Sequence, residues 1–252
     1  MESTMLAMVL CLVIPSFTMV SGEIRLSLME QSIDDMYRNC ESAMEAKVMG
    51  VYFPRENKTQ PFKDGWKLAK SPAKRKYDQQ PTKILTLDQC QAIFTYSQQF
   101  PDVYERFNTI NRDGAKIYGT IKYDYHSLHF WLTTALQRLN PNKQCHTTYR
   151  RTKVKITGKV NQEMRFGSFA SSSTDPDLGT FGTESCFYIE TCYGANIEKY
   201  SRLGESEVLI PPYEKFKVID IAEKSYKEFK DCKKIFVLKN ADKLSKLNCK
   251  AD

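Results

Sequence analysis

Histidine is scarce and the usual metal-binding patterns are missing. The 252-residue chain has three histidines, His126, His129 and His146, none at metal-ligand spacing, and its eight cysteines contain no CxxC pair. A structural zinc site and a resident metal are therefore not expected. After the N-terminus no further apolar run reaches membrane length. No serine–histidine–carboxylate pattern suggests an ordinary hydrolase, and His129 reads as a packing residue. No internal repeat is present. The formal net charge is +7, but no basic motif interleaved with aromatics accompanies it, so nucleic acid is not expected as a partner. The basic balance instead suits solubility, an anionic cosubstrate or an anionic surface.

What is present begins with Met5–Ile14, an unbroken apolar run followed by Pro15 and the small residues Val20, Ser21 and Gly22. This reads as a signal peptide over residues 1–22, leaving one domain, 23–252. The polar, basic stretch from Leu244 to Asp252 offers no lipid-anchor tail. The expected product is a secreted monomer without a membrane anchor. Asn57-Lys58-Thr59 is then a usable glycosylation acceptor. Without Cys11 seven cysteines remain, an odd count that leaves at least one thiol over in an oxidising compartment.

Two patterns of hydrophobicity divide the chain. In the first half, Ser32 and Asp35 have capping-pair spacing before Ile33, Met36, Tyr37, Cys40 and Met44, and Thr86 and Gln89 repeat the signal before Cys90, Ile93 and Phe94. Pro101 opens a third helix with Val103, Phe107 and Ile110 on one face. Leu128, Trp131, Leu132, Ala135, Leu136 and Leu139 form the clearest stripe. Lys58–Thr82, polar and proline-containing, reads as a surface excursion. From His146 the period falls to two, giving strands over 146–150, 153–157, 164–170, 184–191, 207–210, 215–221 and 234–238. The sum is an α+β domain, N-terminal helices packed on a mainly antiparallel β core.

Within the strand half, Glu205 and Glu207 stand two residues apart, on one side of an extended segment, directly before an apolar run. A solvated edge would explain such a pair; so would glycosidic cleavage, with one carboxylate stabilising an oxocarbenium ion and the other handling a nucleophile. Tyr149-Arg150-Arg151-Thr152 and Arg165 to Ser173, with its run Ser171-Ser172-Ser173, precede it. Together these stretches resemble the arginine, serine and Glu-x-Glu signature of the arginine-specific ecto-ADP-ribosyltransferases. Asp35-Met36-Tyr37, His129-Phe130, Phe181-Gly182-Thr183-Glu184, Thr191-Cys192 and Tyr200-Ser201 fit the same family in order along the mature chain.

The resemblance implies the toxin-like ADP-ribosyltransferase fold and transfer of ADP-ribose from NAD to protein arginines, with NAD as cosubstrate and no permanent cofactor. It implies that Arg150 holds the NAD phosphates, that Ser171 supports the NAD-binding core, that Glu207 is catalytic and that Glu205 positions the acceptor guanidinium. Phe181 would stack near nicotinamide; Tyr96, Ser168 and Ser201 are further candidate NAD contacts. Arg151 stands where the family usually has glycine, and would crowd the cosubstrate; Ser168 stands where it often has glutamine, shortening one contact. The family's disulfides imply Cys40–Cys249 and Cys145–Cys192; among the remaining Cys90, Cys186 and Cys232 the sequence does not decide, and Cys186 with Cys232 is one pairing. An NAD glycohydrolase and a catalytically weak secreted binding protein on the same fold are the alternatives.

Overall fold

The computed structural model describes residues 22–98, 100–177, 179–202 and 206–251. The signal-peptide reading thus falls, apart from Gly22, outside the described residues.

Helices come first. α1 (Glu41–Lys47) runs through a π turn, Val48–Tyr52, into α2 (Phe53–Glu56); α3 (Phe62–Asp78), α4 (Leu87–Ser97), α5 (Val103–Asp113) and α6 (His126–Leu139) follow. The expected stripe is α6, and every residue from His126 to Leu136 is buried. A helix enclosed this fully needs its end groups satisfied from elsewhere. Glu56 does so from α2: its carboxylate accepts the amides of His126 and Ser127 at 2.9 and 3.0 Å, at the helix end where negative charge is favoured. The capping box of α4 is complete, Gln89 N donating to Thr86 Oγ1 and Thr86 N to Gln89 Oε1. Gln89 Nε2 then reaches Thr134 Oγ1 at 2.9 Å, so the cap also ties α4 to α6.

Two helical expectations are corrected. The stretch read as a surface excursion is largely α3, the longest helix of the domain. It buries Phe62, Gly65, Trp66, Ala69 and Ala73 on one face, and Trp66 stacks on Trp131 of α6 at 4.8 Å. Its seam is narrow and small, and Pro61, Pro72 and six lysine or arginine positions around it hide the period. Conversely, residues 32–40 are irregular backbone ending in a turn at 38–40, and not a helix; helix begins at Glu41. Tyr37 and Asn39 adopt φ of 55° and 69°, and Asp35 accepts the amides of Tyr37 and Cys249 instead of capping a first turn.

The strands are β1 (Ile24–Arg25), β2 (His146–Thr152), β3 (Ile156–Thr157), β4 (Glu163–Met164), β5 (Ala170–Ser173), β6 (Ser185–Thr191), β7 (Ala195–Asn196), β8 (Glu207–Ile210), β9 (Glu214–Tyr226) and β10 (Phe229–Lys243). The main sheet has the order β4-β9-β10-β6-β2-β5-β8-β7, and β1 pairs separately with β3. All neighbours in the main sheet are antiparallel except β10 and β6. The α+β architecture read from the sequence is therefore the one observed. The expected strand 153–157 shrinks to β3, and 164–170 breaks apart because Arg165 turns into the interior. There its guanidinium donates to the carbonyls of Leu28, Met29 and Leu244 and pairs with Asp34. Gly167 completes the break: its φ is +71°, and a Cβ would lie 2.8 Å from the Met29 side chain.

Alternation on β6 and β10 sorts the packing. Phe187, Ile189, Phe236 and Leu238 join the larger sheet cluster on one face, and Cys186, Cys232, Ile235 and Phe229 form a smaller one on the other. The helices, with Phe169, Leu209 and Ile197 from the sheet half, make the largest core. Three disulfides close the domain, Cys40–Cys249, Cys145–Cys192 and Cys186–Cys232. Cys90 is a buried free thiol, and burial pushes its pKa up to about 12.

Candidate active site

β2 and β5 are neighbours in the sheet, yet they share a single bridge, Tyr149 with Ser173. A cavity of about 410 Å³ opens beside that bridge, within the range of small-molecule sites. β2 supplies Tyr149, Arg150 and Arg151, β5 supplies Ser171, Ser172 and Ser173, and β8 supplies Glu207. α4, α5 and their connection add Tyr96, Ser97, Gln98, Asp102, Tyr104 and Glu105, while Asp175, Pro176 and Phe181 form the remaining wall. Of the residues singled out in the sequence, Tyr96, Arg150, Ser171, Phe181 and Glu207 meet here. A wider cleft of about 760 Å³, between the 36–43 segment and Tyr193, holds none of them.

Each side chain is set by its element. Arg150 faces Phe187 in register, and its Nη1 donates to the Ser171 carbonyl at 2.5 Å, which fixes one arm of the fork and spans the two diverging strands. Glu207 opens β8 opposite Ser173 and is buried. Ser206, at φ 49°, turns the chain into the strand, an unusual backbone for serine that places the carboxylate at the very start of the ladder. The Ser172 hydroxyl donates to the Val208 carbonyl at 2.8 Å, so the serine run braces β8 directly after Glu207.

Tyr96 is wholly buried; its hydroxyl donates to the Phe169 carbonyl and accepts from Asn108 Nδ2, both at 3.0 Å. Burial holds its pKa well above the ordinary tyrosine value, so it is a neutral wall whose hydroxyl is committed to the protein. Phe181 is half exposed, on a 3-10 turn, Gly179–Phe181. Gly182 makes that turn possible, with φ of +119° and no room for a Cβ, which would sit 2.5 Å from Lys153 N.

Ser168 and Ser201 are buried and do not line the cavity. Glu205 lies outside the described residues. Arg151 borders the cavity, but strand alternation sends its guanidinium to the other face, where it bonds Pro176 and Asp231 and covers the Phe229 ring. The guanidinium at this position thus points away from that of Arg150. Gln98, Asp102, Tyr104 and Glu105 were missed in the sequence, which carries no motif for a wall assembled from a helix end and the next helix's cap. Among the described residues no cluster of three or more histidine, cysteine, aspartate or glutamate side chains could hold a metal, and no helix is long and apolar enough to cross a membrane.

Comparison with known proteins bears on this geometry. The chain is 30% identical over 235 residues to the erythroblast NAD(P)(+)–arginine ADP-ribosyltransferase of Gallus gallus, an alignment covering 90% of this chain and 76% of that one. It is 31% identical to the GPI-linked NAD(P)(+)–arginine ADP-ribosyltransferase 1 of Homo sapiens, over 79% and 67% of the two chains. The crystal structure of the eukaryotic mono-ADP-ribosyltransferase ART2.2 superposes with a TM-score of 0.76 at 27% identity, covering 90% of this chain and 98% of that one; a mutant of that enzyme has been solved in complex with NAD. The family model described as NAD:arginine ADP-ribosyltransferase matches residues 26–235, and the chain belongs to that family.

Proposed function

We propose that this protein is a mono-ADP-ribosyltransferase that moves ADP-ribose from NAD to arginine side chains of proteins. The observation that carries the reading is the convergence of Arg150, Ser171, Phe181 and Glu207 on one cavity in a chain of this family. In the reaction the bond between nicotinamide nitrogen and ribose C1 breaks, its electron pair leaving with nicotinamide. A guanidinium nitrogen of the acceptor bonds to C1 and gives up a proton.

Arg150 suits the NAD phosphates, because a guanidinium fork pairs with phosphate oxygens and one arm is already fixed on Ser171. Phe181 offers an exposed ring for the nicotinamide. Glu207 stabilises the positive charge that grows on the ribose as the bond breaks, and Glu205, two residues earlier, orients the acceptor guanidinium. NAD is consumed, so no permanent cofactor is required. The three disulfides suit an extracellular enzyme; we further take it to be released as a single-domain monomer, glycosylated at Asn57. Recovery from culture medium, against retention on cells, tests the release.

Incubation of the purified protein with labelled NAD and a small guanidino acceptor tests the activity. Nicotinamide release with label on the acceptor is the expected result, lost in Glu207→Gln. Free ADP-ribose without acceptor labelling would make the protein an NAD glycohydrolase, and no turnover would make it a binding protein.

A further inference from the structure

Arg151 makes contacts that its neighbour Arg150 does not. Its Nε donates to the Pro176 carbonyl at 2.9 Å and its Nη1 to Asp231 Oδ1 at 2.9 Å. The guanidinium lies 4.8 Å from the Phe229 ring centroid, and the side chain is 5% exposed. Pro176 sits between Asp175 and Phe181 in the segment that walls the cavity. Asp231 precedes Cys232, whose disulfide to Cys186 fastens β10 to β6, and Cys186 stands opposite Arg151 in the ladder.

The ends of the cavity segment have their own tethers. Thr174 N donates to the Ser206 carbonyl and Asp175 N to Ser173 Oγ, and at the other end Lys233 N donates to the Thr183 carbonyl at 2.8 Å. Arg151 holds Pro176, which lies between them. A planar fork can direct one N–H at a backbone carbonyl and another at a carboxylate in a single fixed geometry; an ammonium cannot.

We propose that Arg151 is a positioning residue for the NAD cavity: it pins Pro176 to the sheet, anchored by Asp231, so that the neighbouring Asp175 and Phe181 stand at the depth that binds the cosubstrate. The role rests on the reading of this cavity as the NAD site. Contacts made equally in the ground state and the transition state govern KM and leave kcat alone. Arg151→Ala is therefore expected to raise the KM for NAD by about ten-fold, with kcat within about three-fold of the parent. Arg151→Lys keeps the charge without the fork and leaves KM elevated; Asp231→Ala removes the anchor and raises it less.

Amide hydrogen exchange on the same proteins supplies the second readout. Exchange over 174–182 should quicken in Arg151→Ala and Asp231→Ala, with 185–191 unchanged as the mark of an intact sheet. If Arg151→Ala fails to fold, Asp231→Ala carries both measurements. Unchanged exchange over 174–182 in the folded variants, or a fall in kcat with KM untouched, would overturn the proposal. A parent protein that releases no nicotinamide would defeat the enzymatic reading alone, and the exchange data would still decide whether Arg151 holds the segment.

Discussion

Arg165 and Asp34 form an ion pair sealed inside the domain, with Nη1 and Oδ2 2.6 Å apart and neither side chain more than 1% exposed. Desolvating two charges is costly, and the geometry compensates by filling their remaining positions. Arg165 donates to three carbonyls, and Asp34 Oδ1 accepts the amides of Lys246 and Leu247. The pair thereby joins the 28–34 segment, the break between β4 and β5, and the 244–247 segment. Removing one partner leaves the other charge buried and alone, which typically costs about 3–5 kcal/mol. Arg165→Met should lose stability on that scale in denaturant unfolding under oxidising conditions. Asp34→Asn, which keeps an acceptor for the two amides, should lose less.

Arg150 should act chiefly through NAD affinity. Loss of a charge-assisted phosphate contact costs about 1.5–3 kcal/mol, so Arg150→Ala is expected to weaken binding by roughly ten- to a hundred-fold in calorimetry. Arg150→Lys should recover part of that, having charge without a second arm. Unchanged NAD affinity in Arg150→Ala would remove this residue from the site.

The two glutamates should separate cleavage from transfer. Charge develops on the ribose whichever nucleophile arrives, so Glu207→Gln should abolish nicotinamide release with or without acceptor. Arginine is cationic at neutral pH and needs orientation and help in shedding a proton; water needs far less. Glu205→Gln should lose acceptor labelling while keeping measurable NAD hydrolysis. Equal loss of both activities in Glu205→Gln would show that the roles are not divided.

Stability should respond to acid through two buried groups of opposite sign. Burial among aromatic rings pulls the pKa of His129 down to about 3 from 6.5. The unfolded chain takes up that proton first, so the contribution is complete above pH 6.5 and is lost as pH falls towards 3, on the order of 5 kcal/mol in all. Asp35 is pushed up to about 6 from 3.8 by burial; its contribution is complete below 3.8 and is lost as pH rises to 6. Unfolding free energies measured from pH 3 to 7 should therefore rise less steeply with pH in His129→Gln than in the parent, and more steeply in Asp35→Asn.

The parts of this structure legible in the sequence are those where one local rule dominates. Thr86 and Gln89 announce α4 because a capping box needs no distant partner, and α6 shows itself because its apolar residues recur over four turns. Legibility fails where long-range contacts decide. Residues 32–40 carry helical spacing, yet Asp35 is claimed by Cys249 and the chain turns instead. α3 packs through one tryptophan, one phenylalanine and small residues, a seam whose meaning depends on Trp131 of another helix. In the cavity, the strand-borne residues Arg150, Ser171 and Glu207 sit in short motifs, whereas Gln98, Asp102, Tyr104 and Glu105 reach it only through the way the end of α4 and the start of α5 close one side of the cavity. Arg151 is the instructive case: its identity was plain, but which face it served required the ladder.

The Cys40–Cys249 bond spans 209 positions of sequence, and this gives the domain a mechanical property. Tension applied outside the two cysteines passes from one to the other through a single covalent link and bypasses everything between them. Once β1 and the 28–34 segment have come away from β3 and Arg165, the strands β2, β5 and β8 and the helices that wall the cavity carry none of that load. Pulling on the chain beyond either cysteine, by a tether or by shear flow at a surface, would strip β1 and the 28–34 segment while the cavity kept its shape. Only after reduction of that one bond would the same force reach the sheet.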